Sequence, residues 1–185
     1  MTPKLILGID PGTNLMGWAI LSANASELKP LEIGVLELSK IKDPFLKLQH
    51  IFEEISQLIS TYTPHEMAIE APFYGKNVQS MLKLGRAQGM AIAAALAHKI
   101  PVFEYAPRKI KLSITGRGGA SKEQVAMMLQ KTTHMIKAPT KWDETDALAV
   151  AVCHYYQSKS TRPVISGPKN WEAFVAQNPE RIKGK

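Results

Sequence analysis

The chain has 185 residues, 45% of them hydrophobic and 21% charged, which suits one soluble domain with a buried core. No apolar run approaches the roughly 18 residues needed to cross a bilayer. The N-terminus lacks the charged, apolar and small-residue succession of a signal peptide, and the lone Cys153 excludes a disulfide framework, so a cytoplasmic protein with no membrane role is expected. With 23 Lys and Arg against 16 Asp and Glu, the formal charge of +7 suits attraction to a polyanion, although a solvated basic face explains it as simply.

The first hydrophobic run, Leu5 to Ile9, reads as a buried strand that ends on Asp10 before the turn Pro11-Gly12-Thr13-Asn14. A carboxylate at that place costs several kcal/mol, roughly, unless a partner or a metal compensates it, and ordinary turn chemistry of Asp-Pro-Gly is the competing explanation. A second strand is expected at Trp18 to Leu21, a polar connection from Ser22 to Pro30, and an alternating third strand from Leu31 to Leu38, together an antiparallel meander. Asp43-Pro44 opens a helix whose apolar residues, from Phe45 to Tyr62, recur at three and four, and Thr63-Pro64 ends it.

Met67 to Glu70 is a short strand that ends, like the first, on an acid; Ala71-Pro72 stops it there, at the kind of strand terminus where open sheets place their sites. Phe73 and Tyr74 follow with Lys76 beside them, a set able to stack on bases while the ammonium meets a phosphate, or else packed under a loop. A long helix is expected from Asn77 to about Lys99, with Gly85 and Gly89 on one face where another backbone, of the sheet or of a second subunit, comes close. After the strand Pro101 to Tyr105 come Arg108, Lys109 and Lys111. The glycine-rich stretch Gly116 to Lys122 then opens onto a helix with the capping pair Ser121 and Gln124, so that bare amides, Arg117 and Lys122 form a phosphate cradle or merely a flexible loop.

In the last patterned stretch, Trp142 to Val152, Asp143 and Asp146 stand three apart on a helix, on the side continued by Ala147, Val150 and Cys153. Capping and the helix dipole account for both acids locally. Taken with Asp10 and Glu70, however, they make four carboxylates at element ends that can converge on one point, where they repel unless cations relieve them. Mg²⁺ prefers such oxygen ligands and keeps waters that phosphate oxygens can replace, so the residues point to a metal-assisted phosphodiester hydrolase or transferase acting on nucleic acid. Residues 158–185 carry no comparable pattern and read as a peripheral tail to a domain spanning residues 1–157.

Six stretches in this order resemble the RuvC family of Holliday-junction resolvases, within the ribonuclease H-like superfamily. They are Gly8-Ile9-Asp10-Pro11-Gly12-Thr13, Ala68-Ile69-Glu70, Gly75-Lys76-Asn77, Lys83-Leu84-Gly85-Arg86-Ala87, Val102-Phe103-Glu104-Tyr105-Ala106 and Asp143-Glu144-Thr145-Asp146-Ala147-Leu148-Ala149. The resemblance implies an α/β fold, a mixed five-stranded sheet with helices on both faces. It further implies a homodimer that resolves four-way junction DNA by paired symmetric nicks, with a branch-migration motor as partner. It places Mg²⁺, two ions per site with Mn²⁺ able to substitute, on Asp10, Glu70, Asp143 and Asp146, and puts DNA contacts at Phe73, Lys111 and Lys122. Ala71 and Pro72 stand where the family has Gln and a hydrophobic residue, and some members carry His where this chain has Asp143. Two other functional classes share features with the chain: an actin-like or sugar-kinase ATP-binding domain, which also begins with a strand, Gly-Ile-Asp and a Gly-Thr turn, and a junction-binding protein without catalysis.

Overall fold

The computed structural model describes residues 2–72, 77–133 and 142–159, with side chains in the last stretch from Thr145 onward. Alternation along the first strand, β1 (Lys4–Asp10), decides what each face of the sheet receives: Leu7 and Ile9 point one way, and Ile6, Gly8 and Asp10 the other. β1 pairs antiparallel with β2 (Leu15–Ala23), and β2 in turn with β3 (Leu28–Glu37), which gives the expected meander. The connection is shorter than its polarity suggests. Ser22 and Ala23 belong to β2, and Leu28 to Pro30 belong to β3, so the expected Ser22–Pro30 link shrinks to residues 24–27. Asn24 closes that turn by accepting from the backbone N–H groups of Ser26 and Glu27, and Pro30 is tolerated because β3 is an edge strand with an irregular register at Ile20/Leu21.

Asp43 caps α1 (Pro44–Tyr62), accepting from the N–H groups of Phe45 and Leu46, and Thr63 ends it in the left-handed region. β4 (Glu66–Glu70) then adds parallel to β1, and β5 (Val102–Tyr105) parallel to β4, giving the sheet order β3-β2-β1-β4-β5. α2 (Val78–Ala97), capped by Asn77, lies with α1 over the Leu7 and Ile9 face. On α2 the expected close backbone is not the sheet of this chain: a Cβ at Gly85 or Gly89 would meet nothing within 4 Å. These two glycines share an outward stripe with the exposed Val78, Leu82 and Leu96, while Ala87, Ala91 and Ala94 face inward.

The opposite face belongs to α5 (Trp142–Lys159), with α3 (Pro107–Thr115) and α4 (Lys122–Thr133) packed outside it. α3 is absent from the elements expected of the sequence, although Pro107 at its first position and Gly116 in the left-handed conformation mark both its ends. The reciprocal bonds between Ser121 and Gln124 make the anticipated capping box of α4. Every residue of α5 from Ala147 to His154 is buried, which explains its small, apolar sequence. Its approach is set by Gly8, where a Cβ would lie 2.2 Å from the carbonyl oxygen of Ala147 and 2.9 Å from the Ala151 Cβ. Two turns along, His154 hydrogen-bonds the Tyr105 hydroxyl at 2.7 Å through Nδ1 and contacts Glu66 through Nε2; Lys4 also reaches Glu66, at 2.6 Å. α5 therefore runs from the carboxyl ends of β1 and β4 toward their amino ends.

The expected tail boundary at residue 157 falls inside α5, which continues to Lys159; the rest of the tail lies outside the described residues. No described helix is long and apolar enough to cross a membrane.

Candidate active site

Asp10 and Glu70 meet because two parallel strands end in step. The last paired rung of β1 and β4 is Ile9 with Ile69, so the two acids stand one residue beyond it on neighbouring strands, which lie about 4.8 Å apart. Strand alternation turns both toward α5, on the same side as Ile6 and Ala68. α5 brings Asp146 to them, immediately before the Ala147 that rests on Gly8. The three carboxylates line one cleft of about 490 Å³, whose other wall carries Arg108 and Lys111 from α3, Gly118 from the following loop and Lys122 from α4. A side chain at Gly118 would strike Arg108, at 2.6 Å from its Cγ, so the loop lies flat against α3 only because the residue is glycine.

The charges in the cleft are uneasy. Desolvation above all, and the nearby Asp146 charge after it, push the Glu70 carboxyl up from its ordinary 4.5 to about 7, with Lys122 and Lys111 offsetting only part of the rise. Lys122 answers Asp146 directly, its Nζ 2.6 Å from Oδ2. Among the described residues no three His, Cys, Asp or Glu side chains already close around a single point; an ammonium, not a cage of acids, stands on Asp146.

Of the site residues expected from sequence, Asp10, Glu70, Asp146, Arg108, Lys111 and Lys122 thus converge in one cleft. Arg117 does not line it; it is exposed on the loop after α3, where its backbone N–H donates to the Thr115 hydroxyl. Phe73, Tyr74 and Lys76 lie outside the described residues, as does the side chain of Asp143, although its backbone is the second residue of α5. The sequence reading missed Gln88, a buried amide of α2 that donates to the backbone carbonyl of Glu70 at 3.3 Å and to Glu104 at 2.5 Å, and so ties down the end of β4. A glutamine among the inward alanines of α2 is the signal that could have found it.

Sheet order, acidic cleft and flanking helices define a protein of the ribonuclease H-like class. Residues 6–154 match the family described as crossover junction endodeoxyribonuclease RuvC, and the chain belongs to that family. It is 54% identical to the crossover junction endodeoxyribonuclease RuvC of Cytophaga hutchinsonii over 180 residues, covering 97% of this chain and 88% of that one. It is also 54% identical to the protein of the same description from Bacteroides fragilis over 183 residues, covering 97% and 96%. Among solved structures, Thermus thermophilus RuvC in complex with Holliday junction substrate superimposes with a TM-score of 0.80 at 27% identity, covering 84% of this chain and 95% of that chain. The yeast mitochondrial Holliday junction resolvase Ydc2, at 15% identity and a TM-score of 0.63 over 96% of this chain and 81% of that one, shares the fold.

Proposed function

We propose that this chain is a crossover junction endodeoxyribonuclease that resolves four-way DNA junctions, with Asp10, Glu70, Asp143 and Asp146 as the Mg²⁺ ligands. The observation that carries the reading is the placement of Asp10 and Glu70 on adjacent strand ends, opposite Asp146 and beneath a rim of cations. Divalent metal fits this donor set: the oxygens are hard, the cleft is open, and burial, helped by the Asp146 charge, leaves Glu70 partly protonated near neutrality, a cost that a cation would relieve. Held by these carboxylates, two such ions would supply an activated water and neutralise the charge on the leaving oxygen. In the hydrolysis the water oxygen bonds to phosphorus as the bond from phosphorus to the 3′ oxygen breaks, leaving a 5′-phosphate and a 3′-hydroxyl.

The protein's own part is positioning. Arg108 and Lys111 face the acids across the cleft and draw a phosphate between the two walls. Lys122, which holds Asp146 at 2.6 Å, would meet a phosphate oxygen if a divalent ion held that acid instead. Phe73, Tyr74 and Lys76, only a few residues beyond Glu70, are assigned to bases and backbone at the crossover, and Arg117 to more distant phosphates. Two nicks require two sites, hence a homodimer; the outward stripe of Val78, Leu82, Gly85, Gly89 and Leu96 supports α2 as a meeting face, because bare glycines let a second backbone come near. The resolvase domain extends past residue 157 to the end of α5 at Lys159, with the rest of the chain an appendage to it, and a cytoplasmic location with a branch-migration motor as partner completes the reading.

Asp10→Asn and Glu70→Gln are expected to abolish nicking of a synthetic four-way junction in Mg²⁺ while junction binding persists. Near-normal cleavage by either variant removes the assignment, and mapped cuts at unrelated positions on opposing strands remove the paired-nick mechanism. Wild-type protein that binds junctions without cutting them in Mg²⁺ or Mn²⁺ is a junction-binding protein instead.

A further inference from the structure

A second basic feature lies on the other side of the sheet from the cleft. The first turns of α1 and the middle of α2 enclose a groove of about 150 Å³ lined by Thr13, Lys42, Phe45, Lys47, Lys83 and Arg86 among others. Among the described residues, four cations line it and no carboxylate does. Lys47 is fixed by donating its ammonium to the Thr13 carbonyl at 2.8 Å. The nearest acid in sequence, Asp43, is turned back onto the helix N-terminus, where its Oδ1 accepts from Phe45 and Leu46. Among the described residues no carboxylate pairs with Lys42, Lys83 or Arg86, and all three are exposed along the groove.

The groove and the cleft share one turn. Thr13 lines the first and Asp10 the second, so their Cα atoms are at most about 11 Å apart. The ridge between them is fixed, since a Cβ at Gly12 would fall 1.6 Å from the Leu15 carbonyl oxygen, and the chain can make this turn only as bare backbone. DNA advances about 3.4 Å per nucleotide of a strand, which puts Thr13, at the edge of the groove, within about three nucleotides of a phosphate held over Asp10.

We propose that this groove is a second phosphate-binding site, which holds the sugar-phosphate backbone of the same junction on the far side of the Asp10–Thr13 turn. The proposal rests on the nuclease reading and extends it: cations then bracket the acids, Arg108, Lys111 and Lys122 on one side and Lys42, Lys83 and Arg86 on the other. A strand gripped on both sides of its scissile phosphate is prevented from sliding over the acids.

The test is junction affinity of the full chain as a function of salt, measured in Ca²⁺ or EDTA for wild type, for the double variant Lys83→Gln with Arg86→Gln, and for the charge-keeping pair Lys83→Arg with Arg86→Lys. Each phosphate contact adds about 0.9 to the slope of log affinity against log salt, so two lost contacts make the fall between 50 and 200 mM roughly 12-fold shallower. The neutral pair is expected to show that change equally on junctions of different sequence, with its thermal midpoint retained, and the charge-keeping pair to keep the wild-type slope. An unaltered slope in the neutral pair overturns the proposal. So does an equal loss in the charge-keeping pair, which marks a structural effect, or a change in oligomeric state at unaltered slope, which marks a subunit contact. Wild-type nicking in Mg²⁺, run alongside, separates these failures from failure of the nuclease reading, which it alone addresses.

Discussion

Gly8→Ala tests the link between packing and catalysis most directly. Gly8 touches no substrate, yet its missing side chain sets the depth at which α5 sits on the sheet. An added Cβ would lie 2.2 Å from the Ala147 carbonyl oxygen, and ordinary contact begins at 3.4 Å, so the helix must retreat by about 1.2 Å. The neighbouring contact, 2.9 Å to the Ala151 Cβ, blocks escape by sliding along the helix axis. Overpacking of this kind costs about 1–3 kcal/mol, which in a domain of this size lowers the melting midpoint by roughly 2–12 °C. Asp146, one residue before Ala147, moves with the helix while Asp10 and Glu70 stay with the strands. A misplacement of about 1 Å costs on the order of 100-fold in rate. The expected outcome is a protein that is folded at assay temperature, binds junctions with near-wild-type affinity and nicks them about 100-fold more slowly under single-turnover conditions in saturating Mg²⁺. A folded Gly8→Ala protein that cuts at the wild-type rate would refute the claim that the seam between α5 and β1 positions the site.

Two further outcomes follow from the titrating groups. Because the folded Glu70 carboxyl titrates at about 7 against 4.5 unfolded, the folded state holds more protons between those values, and this group destabilises the metal-free protein progressively as pH rises from 4.5 to 7, by about 3 kcal/mol in full. Calorimetry should therefore show Mg²⁺ raising the melting midpoint more at pH 8 than at pH 5.5, and Glu70→Gln should erase most of that difference; equal gains at both pH values in the wild type would contradict it. Burial pushes the Glu66 carboxyl up, but the hydrogen bonds from Lys4 and His154 outweigh it and hold the group below its ordinary 4.5, so its stabilisation is complete above that value and disappears as acidification passes through the lowered one. Glu66→Gln should accordingly lower urea stability at pH 7 by about 1–3 kcal/mol, with the gap to wild type closing on acidification below pH 4.5; a gap that persists at low pH would place the loss in packing instead.

The parts of the site visible in the sequence are those whose signal is local. Asp10 and Glu70 each end a short apolar run before a proline-containing turn, and Asp146 lies on the apolar side of a helix, so residue type and period were enough. The polar stretch from Ser22 to Pro30 misled because strand pairing, not composition, held it: the Asn24 turn lets β2 and β3 zip to within a few residues of each other. α3 escaped notice because only Ile110 and Ile114 are buried in it, too few to show a period, while its cations dominate the local pattern. His154 had no local signal at all, since its partner Glu66 is 88 residues away and its need for one comes from burial under the sheet.

The two ends of α5 divide a single task. At the far end a buried histidine bridges the first residue of β4 and the last residue of β5, so rotation of the helix breaks a polar contact in the interior. At the near end, among the described residues, the helix is seated by the fit of Ala147 and Ala151 against a residue with no side chain. Such a fit resists approach and permits no adjustment, which is what the acids require. Asp146 and Glu70 raise each other's energy, and in a loose site they would separate and relax. Held by a helix that cannot turn and strands paired to their ends, they stay close, and the repulsion is met only in part, by the Lys122 ammonium on Asp146 and by protonation of Glu70 near neutrality. On the proposed function, an affinity for divalent metal would in this sense be a property of the packing as much as of the carboxylates, and the same close seat on Gly8 accounts for the small residues of α5 where a larger core residue would bury more apolar surface.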